Sequence, residues 1–220
     1  MTTIADLVGH VDYLIQDAPY SAVSNSIRRS VQRFMRESMA FTDTVLIRAQ
    51  EGVKDYHLPI GECRIATHII SAKVTSNPCV NIVDAVWSTL SEVTDPTDPY
   101  GVESSYGYWV EGLGETNTVV NLQQTPKKDS TLAVTYSWML GSDSCDLPEQ
   151  FSTIYLDYII DGALHYLLSM GGYDWSDPKK ANDHELRFNF GLNKARSDKK
   201  RRMSGALPMI GRPFLGGRRW

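Results

Sequence analysis

The sequence predicts an α+β protein. The two ends of the chain form a helical bundle, an antiparallel β-domain (sandwich or small barrel) is inserted between them, and an extended C-terminal arm follows. Three observations predict it. Apolar residues recur at helical spacing before residue 43 and again after residue 146. Between 44 and 140 they alternate in short runs rich in β-branched and aromatic residues. The third is charge: of 22 Lys/Arg and 26 Asp/Glu, ten basic residues and one acid (Asp198) fall between Arg187 and Trp220, so an acidic body carries a basic tail. The chain therefore divides into N-terminal bundle helices (1–43), the β-domain (44–140), C-terminal bundle helices (146–203) and the arm (204–220).

The first helix is expected over Thr3–Ala18. Thr2 or Thr3 can cap it, Asp6 suits the positive end of its dipole, and Pro19 stops it. Ile4, Leu7, Val8, Val11, Leu14 and Ile15 form its apolar face. A second helix over Ser21–Met39 buries Val23, Ile27, Val31, Phe34, Met35 and Met39, and its stripe of Arg29, Arg33 and Arg36 reads as a solvated face. Strands follow at Val45–Ile47, Tyr56–Leu58, Cys63–Val74, Val80–Trp87, Tyr106–Val110, Thr118–Leu122 and Thr131–Met139. Turn residues such as Glu51-Gly52, Pro59-Ile-Gly61 and Gly112-Leu-Gly114 separate them. Helix returns after Asp146-Leu-Pro148. From Phe151 to Met170 it is apolar nearly all round, which requires neighbours on every side, a second subunit being one candidate. Gly162 inside it costs about 1 kcal/mol against Ala, so a close helix approach is expected there. Asp177-Pro178 opens a last helix, about Lys179–Met203, with Ala181, Leu186, Phe188, Phe190, Leu192 and Ala195 as its apolar positions.

With 220 residues, 42% hydrophobic and 22% charged, the chain has the composition of an ordinary globular protein. No run is long and apolar enough to span a bilayer, and no basic-then-apolar leader opens the chain. Cys63, Cys79 and Cys145 are odd in number and widely spaced, which fits neither a disulfide framework nor a zinc site.

Catalytic patterns are missing from the sequence. There is no phosphate-binding Gly-x-x-x-x-Gly-Lys loop, no Gly-x-Ser-x-Gly elbow, no His-Glu-x-x-His and no Cys-x-x-Cys. The five histidines, His10, His57, His68, His165 and His184, lack ligand spacing, and His165 reads as a satisfied core imidazole. Asp157 and Asp161, one turn apart, can share a cation or proton, although such acids more often meet Arg from a neighbouring helix. Asp95–Asp98 has the composition of a calcium loop without its Gly or distal Glu. No catalytic residue, metal or cofactor is expected.

The tail is the sharper signal. It is rich in Gly and Pro, which disfavour helix and strand, and it keeps Phe214, Leu215 and Trp220 as apolar anchors. Arg and Trp dominate interface hot spots, so a partner protein is favoured, with nucleic acid as the second reading.

Two parts of the sequence are similar to a known family. Ser21–Met39, with Ile27, Val31, Phe34 and Glu37-Ser38, then Glu51-Gly52-Val53 and Tyr56-His-Leu-Pro59, resemble the N-terminal region of tailed-phage head-to-tail connector proteins. Leu147-Pro148 to Ala195, through Asp161-Gly-Ala-Leu164, Leu167-Leu-Ser-Met170, Trp175-Ser-Asp-Pro178, Ala181, Phe190 and Ala195-Arg196, resembles the C-terminal helices of the adaptors of short-tailed phages (tail tubular protein A-like, P22 gene 4-like). The resemblance implies a non-enzymatic virion protein of the neck, made in the host cytoplasm. It would form a dodecameric ring beneath the portal, with the tail or nozzle protein on its distal side and DNA passing through its channel. Carried over, the portal-binding arm would use Arg201, Arg202, Arg212, Phe214, Arg218, Arg219 and Trp220, and subunit packing would use Tyr155, Tyr158, Ile159, Gly162 and Tyr166. The stretch Val74–Gln124 matches nothing in the family. The alternatives are a nucleic-acid-binding protein using its basic tail, and a tail-associated wall hydrolase with an acid pair in the β-domain.

Overall fold

The computed structural model describes residues 2–15, 17–75, 88–92, 107–126, 128–142 and 146–204. The fold is mixed α+β. In chain order the elements are β1 (Thr2–Thr3), α1 (Ile4–Asp12), α2 (Tyr20–Ser38), β2 (Thr42–Ala49), β3 (Asp55–His57), β4 (Arg64–Thr75), β5 (Ser88–Thr89) and β6 (Ser91–Glu92). They continue with β7 (Gly107–Glu111), β8 (Val119–Leu122), β9 (Ser130–Leu140), β10 (Asp146–Leu147), α3 (Gln150–Thr153), α4 (Leu156–Leu168) and α5 (Pro178–Ser204).

Helix α1 starts where the capping residues place it. The Thr3 hydroxyl accepts from the Asp6 amide at 3.3 Å, and the Asp6 carboxylate accepts from the Thr3 amide at 2.7 Å. The helix is shorter than its apolar period suggests. It closes at Tyr13, and Asp17 takes a left-handed φ of 72°, so Leu14 turns outward while Ile15 stays buried. Helix α2 ends at Met39 in the left-handed region, φ 49°. It buries Val23, Ile27, Val31, Phe34 and Met35 as expected.

Eight strands form two four-stranded sheets, ordered β2-β9-β4-β5 and β3-β8-β7-β6. The central strand β9 shows why the sequence alternates: Leu132, Val134, Tyr136, Trp138 and Leu140 point into the core. Its long antiparallel partner β4 carries two register shifts, between Ala66 and His68 and between Ile69 and Ser71, which bend it. Among the described residues both sheets supply side chains to one core. One pair departs from the antiparallel expectation, β6 running parallel to β7. The expected strand Val80–Trp87 and the Asp95–Asp98 segment lie outside the described residues.

Aromatic stacking joins helices to sheet. Phe41, leading into β2, stacks on Phe151 of α3 at 4.9 Å and meets Trp138 of β9 edge-on at 5.9 Å. Gln32 of α2 donates to the Leu140 carbonyl at 3.2 Å. The start of the chain also meets the segment leading into α3 in the pairing of β1 with β10, which brings Thr2 opposite Leu147.

The apolar run Phe151–Met170 is two helices instead of one. Thr153 donates its hydroxyl back to the Glu149 carbonyl at 3.1 Å, a bond that bends helices. Tyr155 then leaves helical geometry (φ −114°, ψ 6°) with its ring against Phe34 at 5.0 Å. Helix α4 packs against α1, α2 and α5 of its own chain.

Candidate functional site

Helix α5 begins at Asp177, whose carboxylate accepts from the Lys180 amide at 3.1 Å. That bond holds the Asp177 carboxyl below its ordinary range. From there α5 lies against α4 and α2, burying Ala181, Phe188, Leu192 and Ala195. Two glycines allow the approach. A methyl group on Gly162 would fall on the Ser30 hydroxyl and within 2.5 and 2.7 Å of Phe188 ring carbons. One on Gly191 would meet the base of the Tyr158 ring, 2.6 Å from Tyr158 Cβ. Gly162 was legible as a close-approach position; Gly191 was not, since a single glycine between Phe190 and Leu192 gives no periodic signal of its own.

Polar contacts fix the register. The Ser30 hydroxyl donates to the Ile159 carbonyl at 2.8 Å, and His165 Nδ1 lies 3.1 Å from the Ala181 carbonyl, which can only accept, so this nitrogen carries the proton. His165 is thus the satisfied imidazole its sequence position suggests. His184 Nδ1 sits 2.7 Å from Asp161, and Arg187 approaches the same carboxylate at 4.0 Å. Asp161 therefore faces His184 and Arg187 of the next helix while Asp157 is exposed, and the two carboxylates have separate surroundings. Arg33 is not solvated as its stripe suggests. It pairs with Glu37 at 2.9 Å and Glu185 at 3.5 Å and lies 5.1 Å over the Phe188 ring, leaving Arg29 and Arg36 exposed. Burial opposes the Arg33 charge, but the Glu37 carboxylate and the Tyr166 hydroxyl outweigh it and raise the group's pKa.

Of the residues assigned to subunit packing, the structure places Tyr155, Ile159 and Gly162 in the chain's own core. Tyr155 packs on Phe34, Ile159 is fully buried, and Gly162 faces Ser30 and Phe188. These three have no surface to offer a neighbour. Tyr158 and Tyr166 are half-buried, Tyr158 lying 6.2 Å from Phe190 with Lys194 5.6 Å from its ring centre. Leu186 and Phe190 do not join the core of α5; both point outward.

Beyond Ala195, its last buried side chain among the described residues, α5 becomes basic. Arg196 donates to the Glu37 carbonyl at 2.9 Å, satisfying the C-terminal end of α2. Lys199 is half-buried and burial lowers its pKa; Lys200 and Arg201 are exposed. Arg201 and Arg202 lie in the final turns of the helix, whereas Arg212, Phe214, Arg218, Arg219 and Trp220 lie outside the described residues. Cys63 is exposed, and Cys79 and Cys145 are outside the described residues. Among the described residues no cluster of His, Cys, Asp and Glu could hold a metal ion, and no helix is long and apolar enough to cross a membrane. No model of a known protein family matches this sequence, and no curated protein matches it.

Proposed function

We propose that the chain is a structural adaptor of a phage neck, forming a ring beneath the portal and reaching that portal through residues 204–220. The observation that carries this reading is the direction of charge along α5. Its first half is anchored in the bundle by Ala181, Phe188, Leu192 and Ala195, and its last turns carry Lys199, Lys200 and Arg201 toward the basic, Gly/Pro-rich stretch that ends the chain. A rigid helix fixed at one end and cationic at the other presents its continuation to an acidic partner. On such a partner, charge-assisted hydrogen bonds from Arg212, Arg218 and Arg219 and pockets for Phe214 and Trp220 would order the arm, and a ring would multiply each contact. The distal side of the ring would receive the tail component, and the acidic body would let DNA slide through a dodecameric channel.

Truncation after Met203 tests the reading. Among the described residues the last buried side chain of α5 is Ala195, so the truncated chain keeps its circular dichroism and its melting temperature while losing affinity for a purified portal ring. Undiminished binding removes the proposal. The same basic helix end also favours a second reading, direct contact with nucleic acid. In that case the full chain binds bare duplex DNA, with an affinity that falls steeply as salt rises.

A further inference from the structure

We infer that the chain docks head to tail on a second copy of itself, the acidic aromatic corner between α1 and α2 seating on the outward face of α5. This names a contact surface for the proposed ring, yet it uses no residue of the arm, so the two readings fail separately.

The corner is unusual for a surface. Tyr13 is 85% exposed, Leu14 56% and Tyr20 61%, three large apolar side chains within eight positions. Scattered exposed apolar residues are ordinary, but a contiguous group marks a contact. Asp12 and Asp17 accompany them, both exposed, and the first 27 residues contain no Lys or Arg. The corner therefore presents aromatic surface in a field of one sign.

The outward face of α5 is its complement. Leu186 (69% exposed) and Phe190 (65%) stand one helical turn apart, and Phe190 extends to the half-buried Tyr158 ring. The cations around them are Arg187, which also approaches Asp161, and Lys194 over Tyr158, with Lys200 and Arg201 further along. Asp183 and Asp198 are the acids of α5 nearest this face, so the excess is positive from Leu186 onward. Aromatic and aliphatic surface thus meets its like, and opposite charges frame it. That fit favours a second copy over an unrelated partner, since one chain supplies both halves. Helices α1 and α5 each pack on α2 and α4, leaving the two patches on different surfaces. A contact between different surfaces of identical chains repeats, closing into a ring or extending as a filament.

The test uses the full chain with the apolar residues left in place. In a Cys63→Ser/Cys79→Ser/Cys145→Ser background, His10→Cys marks the corner and Asn193→Cys marks α5 one turn beyond Phe190; both positions are exposed. A short bismaleimide added to the mixture should join the two into a covalent dimer at least severalfold faster than either protein alone forms one. Adding Phe190→Glu to the Asn193→Cys partner, or Leu14→Glu to the His10→Cys partner, should abolish that excess without changing the melting temperature, because both side chains are solvent-exposed. Cross-linking in the mixture no faster than in the separate proteins overturns the inference, as does an excess that survives both glutamates. Loss of portal binding on truncation bears only on the arm.

Discussion

Gly162→Ala should destabilise the protein although alanine is the better helix former. The new methyl gains about 1 kcal/mol of intrinsic helix propensity inside α4. Against that, it meets the Ser30 hydroxyl and two Phe188 ring carbons within 2.7 Å. Overpacking of that kind costs about 1–3 kcal/mol. Displacing the Ser30 hydroxyl also breaks its 2.8 Å bond to the Ile159 carbonyl, worth about 1 kcal/mol. The balance is a loss of about 1–3 kcal/mol. Urea unfolding followed by circular dichroism reads it as a lower midpoint with an unchanged slope. Ser30→Ala in the same chain identifies the obstacle. Because the hydroxyl is part of the clash, the double variant should be less destabilised than the two single variants predict by addition, by roughly 1 kcal/mol of coupling. A Gly162→Ala protein as stable as the parent, or additive single and double variants, would refute the reasoning that helix approach, not backbone freedom, keeps glycine here.

Gly191→Ala should cost less than Gly162→Ala, since its obstacle is the half-buried Tyr158 ring, which can swing outward; Tyr158→Ala should recover part of the loss in the same urea experiment. Arg64 lies 3.9 Å over the Trp138 ring and 2.6 Å from Asp43, but both charged side chains are more than a third exposed. Arg64→Ala should therefore cost about 1 kcal/mol, mostly from stacking, and Asp43→Ala less than half of that, the reverse order counting against this assignment. The Thr3 amide bonded to Asp6, the Arg48 guanidinium on Asp129 and the Lys180 amide on Asp177 hold these three carboxyls below 3.8. A lowered folded pKa means that their contribution is present above pH 3.8 and is lost as pH falls through the folded values. Melting temperatures from pH 6 down to 2.5 should accordingly fall less steeply for Asp6→Asn/Asp177→Asn than for the parent, and parallel curves would exclude the caps as a source of acid sensitivity.

The architecture was readable wherever a local rule agreed with the packing. Thr3 and Asp6 announce the start of α1, the alternation of Leu132, Val134, Tyr136 and Trp138 announces β9, and Asp177-Pro178 announces α5. What escaped depends on partners far away in the chain. The β1–β10 pair joins Thr2 to Leu147, a two-residue contact with no periodicity to reveal it. The break before α4 reflects Phe151 and Tyr155 settling on Phe41 and Phe34, a tertiary preference that overrides a continuous apolar pattern. Leu186 and Phe190 fit a loose apolar stripe, yet the buried positions are Ala181, Phe188, Leu192 and Ala195. A helix with this many candidates leaves open which stripe is buried until its neighbour is in place. The site was legible as charge alone: the cationic trend of α5 is visible in the sequence, but the support that holds it, Arg196 on the Glu37 carbonyl, joins residues 159 positions apart.

Helix α4 changes the argument about assembly. An apolar helix without a polar face requires neighbours on every side, and a second subunit is one way to supply them. Here α1, α2 and α5 supply them from the same chain, and Tyr155, Ile159 and Gly162 are used up in doing so. The buried residues of this segment therefore carry no argument for oligomers. Pressure to associate has to come from surfaces that folding leaves uncovered, and among the described residues the most exposed large apolar side chains are Tyr13, Leu14, Tyr20, Leu186 and Phe190. Glutamate at Ile159 should unfold the monomer, whereas glutamate at Phe190 should leave it folded and weaken only its contact with another copy. Sedimentation and thermal melting of the two variants separate the cases, and a folded, association-deficient Ile159→Glu protein would return α4 to the interface.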